Sequence, residues 1–166
     1  MLKKRISLFI LGLFASALLL AGCTKPPAVV KQEGPEEVVR QTIQALVEAN
    51  ATRYAELLDI PESSLNATWK IRAFQKQTKR QVRKFARQAR RLGGLKSVDF
   101  GKEDIRYTHM VAKDDGTVTF EPTTFANAVA GDTAEVTVKI TYGNMSSDTK
   151  VFRLTKKQVG WLLNAE

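Results

Sequence analysis

The sequence predicts an α+β domain, with N-terminal helices followed by an antiparallel β-sheet. Three observations lead there. Apolar residues recur at helical spacing from Pro35 to Leu92, the pattern switches to period two after Gly93-Gly94, and turn signals punctuate the second half. Helices followed by a meander of strands, without βαβ alternation, form an α+β domain.

Gly34-Pro35-Glu36-Glu37 starts the first helix, with Pro at a first-turn position and acids where the helix dipole favours negative charge. Val39, Ile43, Leu46 and Val47 then give one apolar face through about Asn50. A short second helix is expected from Thr52 to Leu58, stopped before Pro61. The third and longest runs from near Ser64 to Leu92 and stops at the two glycines. At about 100° per residue, Ile71, Phe74, Thr78, Val82, Phe85, Ala89 and Leu92 form one narrow stripe, expected to pack on the sheet. Trp69 falls on the opposite side, and periodicity gives no account of it. Strands are expected at Leu95 to Phe100, Asp104 to Lys113, Thr117 to Glu121, Thr133 to Tyr142, Thr149 to Thr155 and Trp161 to Asn164. Asp114-Asp115-Gly116, Gly143-Asn144 and Lys157 to Gly160 are the turns between them. The alternation Ala134, Val136, Val138, Ile140, Tyr142 marks a half-buried antiparallel strand.

Residues 1–22 read as an export leader. Met1-Leu2-Lys3-Lys4-Arg5 is positive, Ile6 to Leu20 is apolar apart from Ser7 and Ser16, and small residues precede Cys23. The run Leu20-Ala21-Gly22-Cys23 resembles the lipobox of bacterial lipoproteins. That resemblance implies that Cys23 becomes the first mature residue and carries a diacylglycerol, often with a third chain on its amine. At about 0.8 kcal/mol per buried methylene, such chains hold a protein on a membrane essentially permanently. The competing reading is a retained membrane anchor, for which the stretch Ile6 to Gly22 is at the lower edge of the required length. Residues 23–34, with Pro26-Pro27, read as a tether, and residues 35–166 as one domain. In a host with two membranes, Thr24 resembles an outer-membrane sorting signal, because the usual inner-membrane retention residue is Asp. The expected location is therefore the cell envelope and, in such a two-membrane host, the outer membrane facing the periplasm.

Composition excludes several chemistries. The 166 residues less 22 leave 144, enough for one domain with a core. Cys23 is the only cysteine and His109 the only histidine, so no disulfide, thiolate metal site or multi-histidine cluster is expected. No cofactor is expected either. Of the 26 Lys and Arg residues three leave with the leader, so 23 face 17 acids and the net charge is +6. Ten of these cations are Lys70, Arg72, Lys76, Lys79, Arg80, Arg83, Lys84, Arg87, Arg90 and Arg91, with no acid between Glu62 and Asp99. The rest of the mature chain, with 13 bases and 17 acids, is negative. One helix makes this protein basic.

The face from Lys76 to Arg91 is therefore a candidate anion-binding surface, facing lipid headgroups, lipopolysaccharide phosphates, peptidoglycan carboxylates or an acidic partner protein. A merely solvated helix face is the plainer reading. Nucleic acid is not expected, because the leader exports the chain and the helix offers few aromatics for stacking.

The opening Pro35-Glu36-Glu37-Val38-Val39, the hydrophobic run from Asn50 to Leu58 and the closing passages resemble small bacterial lipoproteins of the nuclear transport factor 2-like superfamily. Those passages are Gly131-Asp132-Thr133-Ala134-Glu135-Val136, Tyr142-Gly143-Asn144 and Val159-Gly160-Trp161. The likeness spans about Pro35 to Asn164, although the basic helix is unusually long for the group. It implies a curved sheet wrapping the helices into a cone that can hold a pocket. The same cone serves enzymes, binding modules and protein partners, so it does not settle function. If Ile105 and Val111 face inward, so do Tyr107 and His109, with Tyr142 expected on a neighbouring strand. That gives a candidate pocket at Tyr107, His109 and Tyr142. Asp99 and Asp104 lie on the other parity, so no carboxylate is expected to orient His109. With no nucleophile elbow, phosphate loop or metal spacing, a non-enzymatic binding module is the leading expectation.

Overall fold

The computed structural model describes residues 33–61, 66–101 and 104–165. The leader, Cys23 and most of the expected tether lie outside them.

Helix α1 spans Pro35–Val47, with Pro35 in its first turn and Glu36 and Glu37 at the positive end of its dipole. Its buried residues, Val38, Val39, Thr42, Ile43, Ala45 and Leu46, recur every three or four positions. Thr42 satisfies its buried hydroxyl by donating to the Val38 carbonyl at 2.8 Å. At the helix end Ala49 takes the left-handed conformation, φ 59°. There Asn50 N–H reaches the Ala45 carbonyl at 2.8 Å, as in a Schellman stop. Asn50 also caps helix α2 (Ala51–Glu56), its side chain accepting from Arg53 N–H at 3.0 Å.

The second helix ends short of the expected Leu58. Leu58–Asp59 form strand β1 instead, paired in parallel with the last strand. The Leu57 carbonyl accepts from Leu163 N–H at 2.7 Å, so the open sheet edge takes the chain just before Pro61 forbids further helix.

Helix α3 spans Thr68–Arg91 and ends on a second Schellman stop, with Gly93 at φ 88° and Gly94 N–H bonded to the Ala89 carbonyl at 2.8 Å. Thr78, Val82, Ala86 and Ala89 are buried, whereas Ile71, Phe74, Phe85 and Leu92 are half-buried. This stripe packs chiefly on α1 and α2, not on the sheet as the sequence reading expects. Helix α1 occupies the sheet-facing layer, touching β5 and β7, and α3 lies outside it.

The strands are β2 (Leu95–Asp99), β3 (Ile105–Ala112), β4 (Val118–Thr123), β5 (Thr133–Tyr142), β6 (Ser147–Lys157) and β7 (Gly160–Asn164). Their order is β1-β7-β6-β5-β3-β4, with β2 also paired to β5. β5 is the axis. Its alternate residues Ala134, Val136, Val138, Ile140 and Tyr142 are buried, as the period-two pattern predicts. β3 pairs with the first half of β5 (Ile105 opposite Val136) and β2 with the second half (Leu95 opposite Tyr142). The core joins these residues to Val39, Ile43, Leu154 and Trp161.

Candidate functional site

Two surfaces gather chemistry. The first is the outer face of α3. Arg72, Lys76, Lys79, Arg80, Arg83, Lys84, Arg87, Arg90 and Arg91 are all exposed on it. Among the described residues none of these nine lies within ion-pair distance of a carboxylate. The reason is in the sequence: a helix whose apolar stripe is buried must turn its remaining positions outward, and those hold no acid. Arg90 and Arg91 in the last turn complement the negative end of the dipole. The first turn has no acid and its N-cap, Ala67, has no side chain able to cap. Like charges at helical spacing repel. The face is thus poised to gain from an anionic surface placed against it.

The second is the mouth of the sheet near β3. His109 Nδ1 lies 2.5 Å from Oδ1 of Asp132. Asp132 is buried, with 1% of its surface exposed, and its other oxygen accepts from Val129 N–H at 2.8 Å. The expectation that no acid orients His109 is corrected here. Extending the pairing of Tyr107 with Ala134 and Thr108 with Thr133 by one step sets Asp132 opposite His109, just before β5 begins. Parity gives cross-strand neighbours only once the register is known, and these two residues are 23 apart in sequence.

In the neutral imidazole, Nδ1–H donating to the carboxylate leaves the Nε2 lone pair free to accept. The ring side chain is 40% exposed. Tyr107 lies on the same face of β3, its ring 6.2 Å from Phe125 and 5.9 Å from Trp161. Burial, and secondarily the charge of Glu36, push its hydroxyl pKa up. A cleft of about 330 Å³ runs beside it, bounded by Pro35, Glu36, Arg40, Tyr107 and Phe125, but His109 does not line this cleft.

Tyr142 does not join this group. It ends β5 opposite Leu95, eight residues from the Ala134 that pairs with Tyr107, or about 26 Å along the strand. Its ring is buried in the core. Among the described residues, no group of three or more His, Cys, Asp or Glu is placed to hold a metal ion, and no helix is long and apolar enough to cross a membrane.

No family model matches the chain, and no curated protein is significantly similar to it. Among solved structures, the chain is similar to a candidate NTF2-like transpeptidase from Campylobacter jejuni, determined at 2.00 Å. The two superpose with a TM-score of 0.59 over 81% of this chain and all of the other, at 16% sequence identity. At that identity the likeness speaks for architecture alone: the domain has an NTF2-like α+β fold.

Proposed function

We propose that this chain is a cell-envelope lipoprotein, held on the membrane through lipid on Cys23, whose NTF2-like domain is a non-enzymatic binding module for an anionic envelope component or acidic partner protein. The anchor is supported by the leader and the Leu20-Ala21-Gly22-Cys23 run. The binding role is supported by one observation above all, nine exposed cations on α3 with no carboxylate among the described residues within ion-pair distance of them. Folding alone does not require that arrangement, since a stable helix gains from acids interleaved at i,i+4.

Reversing Arg83, Arg87 and Arg90 together to Glu tests the role. All three are exposed, so Arg83→Glu and Arg87→Glu should each move stability by no more than about 0.5 kcal/mol, and Arg90→Glu, at the negative end of the dipole, should cost about 1 kcal/mol. In the chain begun at Thr24, which carries neither leader nor lipid, co-sedimentation with anionic envelope material should fall sharply on this charge reversal, while circular dichroism and melting stay close to those of the unreversed form. Raising ionic strength to 1 M, where the Debye length is about 3 Å, should have the same effect on the unreversed, anchor-free form. Undiminished co-sedimentation of the folded variant would overturn the proposal.

One observation favours a second reading, a small-molecule binder or enzyme centred on Tyr107 and His109. Buried Asp132 fixes the imidazole and leaves Nε2 as a proton acceptor, the arrangement a general base needs. It ranks second because the adjoining cleft does not reach the histidine.

A further inference from the structure

Trp69 stands where a globular fold has no use for it. It is 69% exposed. The buried residues Thr78, Val82 and Ala89 point to one side of α3, and Trp69 points to the other. It lies 18 positions before Arg87, which is five turns at about 3.6 residues per turn, so the two share a direction. Lys76 and Arg80 fall within about 20° of that direction at about 100° per residue. The largest apolar side chain of the helix thus sits in the middle of its cationic face, near the N-terminal end. Lys70 Nζ approaches its ring to 5.8 Å.

A soluble polyanion would be met by the cations alone. An exposed indole among them fits a surface with two layers, charged outside and apolar beneath. Trp prefers the headgroup level of a bilayer, where its N–H stays hydrated and its ring enters the acyl boundary. Basic residues on the same face would lie along anionic headgroups. Helix α3 is about 36 Å long at about 1.5 Å per residue, enough to lie flat on such a surface. Its apolar stripe stays against α1 and α2, so the sheet remains covered and only Trp69 need enter the membrane.

We infer that the partner of the α3 face is an anionic lipid bilayer, with the helix lying flat, cations on the headgroups and Trp69 inserted at the acyl boundary. This rests on the binding role proposed above and names its partner. The expected occupancy is helped by the candidate anchor at Cys23, only 12 residues before α1.

The test uses the full chain reconstituted into vesicles of phosphatidylglycerol or of phosphatidylcholine, each with or without brominated acyl chains. In phosphatidylglycerol, tryptophan emission should shift to the blue and be quenched by bromine. Both effects should vanish in Trp69→Phe, leaving the signal of buried Trp161. In phosphatidylcholine, and in the Arg83, Arg87, Arg90 charge-reversed protein, neither effect should occur. Equal emission from Trp69 in both lipids, without quenching, would overturn the bilayer as partner. Binding of labelled polyphosphate then separates the two failures. Polyphosphate bound by the native and not by the charge-reversed protein would leave the binding role standing with a soluble or polymeric anion as ligand, whereas no binding would remove both.

Discussion

Tyr142 was expected in a pocket and is found instead in the core, which gives its hydroxyl a different physical meaning. Its oxygen is buried and, among the described residues, has no hydrogen-bond partner. A buried unpaired hydroxyl costs about 1–3 kcal/mol of desolvation, so Tyr142→Phe should leave stability unchanged or raise it by about 1 kcal/mol. The same burial raises the phenol pKa above its ordinary 10.0, with Asp148 adding to the shift and Lys150 opposing it. Folding therefore favours the protonated phenol. Its contribution is fully present below pH 10, erodes as the unfolded chain ionises, and is lost once pH passes the higher folded-state value. Chemical denaturation from pH 8 to 11 should show stability falling at the alkaline end, and falling less in Tyr142→Phe. Tyr54 and Tyr107, also raised by burial, would account for the remaining decline. A variant that melts well below the native protein at neutral pH would show that the hydroxyl has a partner after all.

At the scale of elements, the long helix is fixed in place by its exit. Gly143-Asn144 reads in the sequence as a hairpin turn between β5 and β6, and it is one. The structure adds a second duty. Gly143 N–H donates to the Gly94 carbonyl and Asn144 N–H to the Leu92 carbonyl, both at 2.9 Å, so the turn receives the end of α3. A Cβ on Gly143 would overlap the Gly93 carbonyl, a backbone atom that cannot swing aside. Gly143→Ala should therefore displace the helix end and cost about 2 kcal/mol or more, from overpacking plus a weakened hydrogen bond. Gly116→Ala is the control. It too is a turn glycine and, unlike Gly143, lies in the left-handed region at φ 80°, but a Cβ there meets nothing within 4 Å, so only backbone strain is added. Equal melting temperatures for the two variants would show that α3 does not depend on this contact.

At the scale of the whole molecule, what was legible in the sequence was what depends on neighbours along the chain. The α3 stripe, the β5 alternation and the glycine stops are local patterns set by one helical or strand period, and they survive into the structure. The features that escaped depend on residues far apart. β1 forms because Leu57 meets Leu163 across most of the domain, and two residues hold too little pattern to be read as a strand. The α3 stripe is plain in the sequence, but which layer it faces depends on where α1 already lies. The dyad depends on the β3–β5 register, which no pattern along the chain near His109 or Asp132 carries.

That dyad also joins parts of the molecule that no single element connects. Asp132 holds His109 on β3 with one oxygen and the Val129 N–H of the preceding loop with the other, while its own carbonyl accepts from Lys156 N–H on β6 at 2.8 Å. The loop it fastens buries Ala128, whose carbonyl receives Lys156 Nζ at 2.7 Å. Asp132→Ala would leave Val129 N–H without an acceptor and His109 without its orienting partner. Losing these charge-assisted bonds should cost about 2–3 kcal/mol. His109→Ala removes only the half-exposed member, and the carboxylate keeps its backbone donor, so its cost should be about 1 kcal/mol or less. Denaturant melts of the two variants read this difference directly. If His109→Ala proves as damaging as Asp132→Ala, the pair is a structural clasp, and the reading of His109 as a proton acceptor loses its footing.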